Sequence, residues 1–108
     1  MSLANPVRGE ATLLIRGESH VLRPTFAALV AAEGELGPLF ALVERASAGQ
    51  LRLGELAALF WHCLAQPGAL TREDVGEAVA VQGLAAAAAP LRALLVQILQ
   101  GQPSAGSG

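Results

Sequence analysis

The spacing of apolar residues along the chain changes near Pro24, from a period of two to about 3.6 residues, the change that separates strands from helices. Before that point, Glu10–Arg16 and His20–Arg23 read as two strands. Gly17-Glu18 reads as the connection, with glycine at the first central position of a type II′ turn. Pairing Arg16 with Ser19 sets Ile15 opposite His20 and Leu13 opposite Leu22, so one face carries Leu13, Ile15 and Leu22. A lone hairpin is marginal in water, and this face is expected to pack on helices.

Five helices follow. Thr25 is placed to cap the first, with Phe26, Leu29 and Val30 on its apolar side and a fade at Gly34. The second is expected over about Gly37–Ala48, with Pro38 in its first turn, Leu39, Phe40 and Val43 inward, and Gly49 as the stop. The third covers about Leu53–Gln66, has Leu56, Ala57, Phe60, Cys63 and Leu64 on one side, and ends at Pro67-Gly68. Thr71-Arg72-Glu73-Asp74 has capping-box form and opens a fourth helix carrying Val75, Ala78 and Val79. The fifth, about Leu84–Gln100, places Leu91, Leu94, Leu95, Ile98 and Leu99 at i, i+3, i+4, i+7 and i+8. Pro90 either kinks it or marks its true start.

The fold class is therefore α+β: an N-terminal two-stranded hairpin and about five short helices in one domain over residues 10–100. Residues 1–9 are expected to form a lead, with Met1–Leu3 reading as a cloning scar, and 101–108 a Gly/Ser-rich tail. The length, 108 residues and 11.0 kDa, suits a single small core. Hydrophobic residues make up 53% and charged residues 15%, which excludes the composition of a disordered chain. A net charge of −2 gives no basic face for phosphates, so no nucleic-acid partner is expected. The bias toward alanine and leucine, with arginine as the only long base, fits a GC-rich coding genome.

No basic region followed by an apolar run opens the chain, so no export signal is expected. The most apolar stretch, Leu84–Leu99, is broken by Pro90, Arg92 and Gln97 and falls short of the roughly 20 apolar residues of a membrane span. These features predict a cytoplasmic protein without a membrane partner.

The polar inventory is thin for catalysis. His62 and Cys63 are adjacent on a helix and therefore point about 100° apart, which does not make a nucleophile–base pair. Cys63 reads as a small core residue, His62 as a surface residue and His20 as part of the hairpin. Glu73 and Asp74 read as first-turn acids that complement the helix dipole. The seven arginines are scattered and read as solvated. No enzyme, cofactor or metal site is expected. Trp61 is the aromatic residue best placed at a core boundary, and Phe60, Trp61 and Leu64 are the candidate partner surface. Both outer edges of the hairpin are expected to be open, which favours self-association.

In order and spacing, Asn5-Pro6-Val7-Arg8-Gly9-Glu10 before the hairpin, then Leu42-Val43-Glu44-Arg45, Ala48-Gly49, Leu56-Ala57-Ala58-Leu59 with His62, and Gly83-Leu84 before the alanine run form one series. This series resembles the tail assembly chaperones of gene transfer agents and related long-tailed phages, over residues 4–100. The resemblance implies a protein of the bacterial host cytoplasm that coats the aggregation-prone tape-measure protein during tail assembly and hands it to tail-tube subunits. The same family is also labelled a tail tube component, and a minor structural part of the tail, at the tube or its terminator, is the alternative it implies. It implies no catalytic residue.

Overall fold

The computed structural model describes residues 11–100; the expected lead 1–9 and tail 101–108 lie outside the described residues. Strand β1 spans Ala11–Ile15 and β2 spans Glu18–Leu22, antiparallel. The chain reverses at Arg16-Gly17, with φ of 55° and 83°. Positive φ at both central residues is the signature of a type I′ turn, not the expected type II′ turn at Gly17-Glu18. Leu13 consequently faces His20, and Leu22 faces Ala11. The shift moves every partner by two residues, which preserves the side of the sheet each residue occupies. Ala11, Leu13, Ile15 and Leu22 are accordingly all buried. The left-handed Arg16 is held by a tertiary contact, an ion pair with Asp74, that local turn chemistry does not reveal.

Helices α1 (Phe26–Leu36), α2 (Leu39–Ser47), α3 (Leu53–Cys63), α4 (Arg72–Gln82) and α5 (Leu84–Gln100) complete the α+β fold. The α3 helix is the hub: α1 and α4 pack against it, and α5 closes on α4 and β1. Leu56, Ala57, Ala58, Leu59, Phe60 and Cys63 of α3 are all buried, so its apolar surface wraps well beyond the expected stripe. The expected α4 face, Val75, Ala78 and Val79, is buried as read. Fully burying a Val, Leu or Phe side chain contributes about 1.5–3 kcal/mol, and α3 and α4 carry most of such residues.

Start and stop signals act as their chemistry requires. The Thr25 side chain accepts from the Ala28 N–H at 3.1 Å, and Thr71 accepts from the Asp74 N–H at 3.1 Å. The Asp74 carboxylate returns the bond to the Thr71 N–H at 2.9 Å, completing the capping box. Gly37 ends α1 at φ 93°, a left-handed geometry suited to glycine, so the helix runs past Gly34. At α5 the helix begins at Leu84 and continues through a buried Pro90, which rules out that proline as the helix start. Helix α3 stops at Cys63, three residues earlier than expected, because the chain there turns to join the hairpin. Leu64 bridges Leu22, the Arg23 N–H donates to the Cys63 carbonyl at 2.6 Å, and the Ala65 N–H donates to the Val21 carbonyl at 2.9 Å.

Candidate partner-binding surfaces

The expected partner surface divides on inspection. Phe60 is 0% exposed and Leu64 is buried, so both belong to the core and present no surface. Trp61 is half-buried and its contacts are already taken. Its indole N–H donates to the Leu70 carbonyl at 3.4 Å. The Arg72 guanidinium lies 4.8 Å from the ring centroid, a cation–π distance, and the His62 ring stands edge-on at 5.2 Å.

Around Trp61 the charged side chains tie three helices together. Glu35 at the end of α1 meets His62 Nε2 of α3 at 2.9 Å through Oε1 and pairs with Arg72 of α4 through Oε2. The hydrogen bond from Arg72, then that from His62, holds the Glu35 carboxyl below its usual range. His62 is thus a partnered boundary residue and not a plain surface one. Cys63, next in sequence, is buried, and burial pushes its thiol up to about 12. A thiol so disfavoured as thiolate is a packing residue. Among the described residues no group of three His, Cys, Asp or Glu is placed to hold a metal ion.

Arginines expected to be solvated also join elements. One guanidinium nitrogen of Arg45 of α2 donates to both oxygens of the Glu55 carboxylate of α3, each at 2.7 Å, a charge-assisted contact. Glu55 in turn accepts from the Arg52 N–H at 3.0 Å. The backbone bond from Arg52, followed by the side-chain bond from Arg45, holds the Glu55 carboxyl below its usual range. Asp74, which caps α4 and meets Arg16, is lowered chiefly by the Thr71 backbone bond. The structural role of these charges was not visible in sequence, because each pair joins separate elements.

The hairpin edges are less open than expected. The outer edge of β2 is engaged by residues 63–65, as described above. On β1 the Leu14 carbonyl, which points outward, accepts from the Gln82 side chain of α4. Edge pairing with a second copy would have to displace these contacts.

Apolar surface appears elsewhere. Phe26 is 84% and Phe40 81% exposed, although both were expected to face inward. The α1 core side is instead built on Ala32, with Ala28 and Leu36 packed beside it, and α2 turns Leu42 and Val43 inward. Helix α2 packs on α1 and leaves a groove toward the end of α5. This groove measures about 200 Å³ and is lined by Leu39, Phe40, Val43, Ile98 and Leu99, with Glu33 of α1 at its rim. Farther along the same two helices, Ala46, Leu84, Ala87 and Leu91 line a second depression of about 160 Å³. Phe40, Leu84 and Leu99 are the exposed apolar side chains at these hollows, and exposed apolar surface is the usual mark of an interaction site. No single helix among the described residues is long and apolar enough to cross a membrane.

No curated protein and no solved structure matches the chain. Residues 8–101 match the protein family described as phage tail tube protein, GTA-gp10. That match spans both strands, all five helices and the groove between α2 and α5, and the chain accordingly belongs to this phage and gene-transfer-agent tail family.

Proposed function

We propose that the protein is a tail-assembly chaperone that shields apolar helices of the tape-measure protein, in the host cytoplasm, while a phage-like tail is built. The observation that carries this reading is the exposed apolar surface of α1, α2 and α5 in a tail-family protein, above all Phe40 and Leu99 beside the groove. A holdase works by covering a client's apolar stripes reversibly, and helix-in-groove packing is a suitable physical mode. Several copies along a long client gain avidity even when each contact is weak. The mode of action needs no catalytic residue, cofactor or metal. Handover to the tail-tube protein and self-association along the client are part of the same proposal. Because the hairpin edges are engaged, self-association is assigned to side-chain surfaces.

Co-expression with the tape-measure protein of the same tail tests this reading. The expected result is a soluble tape measure that co-purifies with the chain; an insoluble tape measure and no complex would refute it. The family description as a tail tube protein favours a second reading, a structural component retained in the tail. Mass spectrometry of purified particles separates the two, since a chaperone is absent from them and a structural part is present in stoichiometric amount. The chaperone reading is favoured because only two strands form among the described residues, too little sheet to close a tube.

A further inference from the structure

We infer that the groove between α2 and the end of α5 docks an amphipathic helix whose apolar stripe is flanked by basic residues; this rests on the chaperone reading and specifies its client surface. Charge selects the occupant. Three carboxylates of the molecule, Glu35, Glu55 and Asp74, are each paired with an arginine and serve the fold. Glu33, at the rim of the groove, and Glu44, outside its lining on the same helix as Phe40, are not so paired. Among the described residues Glu33 accepts only the Leu39 N–H, at 3.1 Å. Glu44, one turn beyond Phe40 on α2, has no cationic partner among the described residues.

The cations nearby do not offset these acids. Arg45 is committed to Glu55, and no arginine lines the groove. A second copy docking through the same face would set Glu33, with Glu44 beyond the lining, against the same acids of its partner, a like-charge meeting that disfavours association. A partner helix with lysine or arginine beside its stripe meets opposite charge instead. Its anchors at i, i+3 or i+4, and i+7 would follow the line of α2 and α5, one of them filling the 200 Å³ groove beside Phe40.

The probes are two synthetic helical peptides of about 18 residues, or five turns, that share one leucine stripe. One carries lysines beside the stripe and the other glutamates, and binding to the full chain is read by fluorescence polarisation. The lysine peptide is expected to bind roughly tenfold or more tighter. Phe40→Ser should lower its affinity by about tenfold, and Glu33→Gln with Glu44→Gln should remove most of the preference. Glu77→Gln, on α4 outside the groove, should change nothing. Phe40 is 81% exposed, so its replacement leaves the core intact, which circular dichroism checks. Equal binding of both peptides, or indifference to Phe40→Ser, overturns the inference. So does light scattering that finds a dimer dissolved by Phe40→Ser, since a second copy then covers the groove. Co-expression of Phe40→Ser with the tape measure keeps the two readings distinct. A client still held soluble removes the groove and leaves the chaperone. Peptides that bind as expected, beside a client that the unaltered chain leaves insoluble, remove the chaperone and leave the groove.

Discussion

The α3–α4 side and the α1–α2 side use similar residues and end in opposite states. On α4 the apolar residues Val75, Ala78 and Val79 are all buried against α3. On α1 the largest apolar residue, Phe26, is exposed, and the helix presents alanines to the core. Fastenings differ as well. Helix α4 carries a reciprocal capping box and pairs with Arg16 and Glu35, whereas at α2 Pro38 offers no side-chain cap and the Leu39 N–H is met by Glu33 of α1. On α1 the core side is therefore the stripe of small residues around Ala32, and Phe26 is left outside it. Large apolar residues left over after that choice remain available to another molecule.

The sharpest test sets Phe60 against Phe40. Phe60 is 0% exposed in the centre of α3, and Phe60→Ala is expected to cost about 3–5 kcal/mol in urea unfolding. Phe40→Ala removes the same atoms from a surface position and should stay within about 0.5 kcal/mol of the unaltered protein. Trp61 fluorescence follows the transition, and the buried Cys63 thiol should become reactive only as the fold is lost. Comparable losses at both positions would break the distinction between the two sides.

Acid should next loosen the ion pairs that tie α1, α2 and the hairpin turn to α3 and α4. Glu35, Glu55 and Asp74 all ionise more readily in the fold than their ordinary values of 4.5, 4.5 and 3.8. A carboxyl whose folded constant is depressed contributes stability that is present above its unfolded constant and lost as pH falls through its folded one. Urea midpoints are therefore expected to be insensitive to these groups above about pH 5 and to decline below about pH 4.5. Arg72→Gln should flatten part of that decline by releasing Glu35. An acid limb unchanged in this variant would show that the cluster around Trp61 contributes nothing through charge.

Signals confined to one element were legible in sequence. The strands, the Thr25 and Thr71 caps, the α4 face and the five-helix count all follow from local periodicity and end chemistry, and residues 11–100 form them. Contacts that join distant elements were not. The left-handed Arg16 turn meets Asp74 of α4, and the end of α3 joins β2. The same holds for the partner surface. Helical spacing places Trp61 at a boundary and Phe60 and Leu64 on the apolar side beside it, but spacing does not record that α1 and α4 both pack on α3 and leave Phe60 and Leu64 no surface. Phe40 read as core because its neighbours Leu39 and Val43 are apolar, although α2 packs through Leu42 and Val43. Family resemblance reached the tail assignment from the order of short motifs, with no site residue to guide it.

Losing a cap is expected to matter less than losing a core aromatic. Thr71→Ala removes a bond to the Asp74 N–H and should cost about 1 kcal/mol, and Thr25→Ala a similar amount at α1. Thermal unfolding measures both. A negligible loss at Thr25 beside a full loss at Thr71 would mean that the start of α1 frays in the native state, sharpening the difference between the two sides.

The smallest test concerns two glycines inside helices, Gly34 of α1 and Gly76 of α4. Neither has a positive φ, so alanine fits the backbone at both, and each substitution gains about 0.5–1 kcal/mol from helix propensity and the reduced freedom of the unfolded chain. Their surroundings differ. A Cβ at residue 34 meets open space, while one at residue 76 comes 3.6 Å from the Ala57 Cβ of α3, an ordinary contact distance. The propensity gain is shared, so the difference between Gly76→Ala and Gly34→Ala isolates the packing of one methyl group between α3 and α4. Equal or slightly greater stabilisation at Gly76 is expected in urea titrations. Destabilisation at Gly76 with stabilisation at Gly34 would mean that α3 and α4 lie closer than this spacing, and that the α4 glycine is required by the fastened side of the molecule.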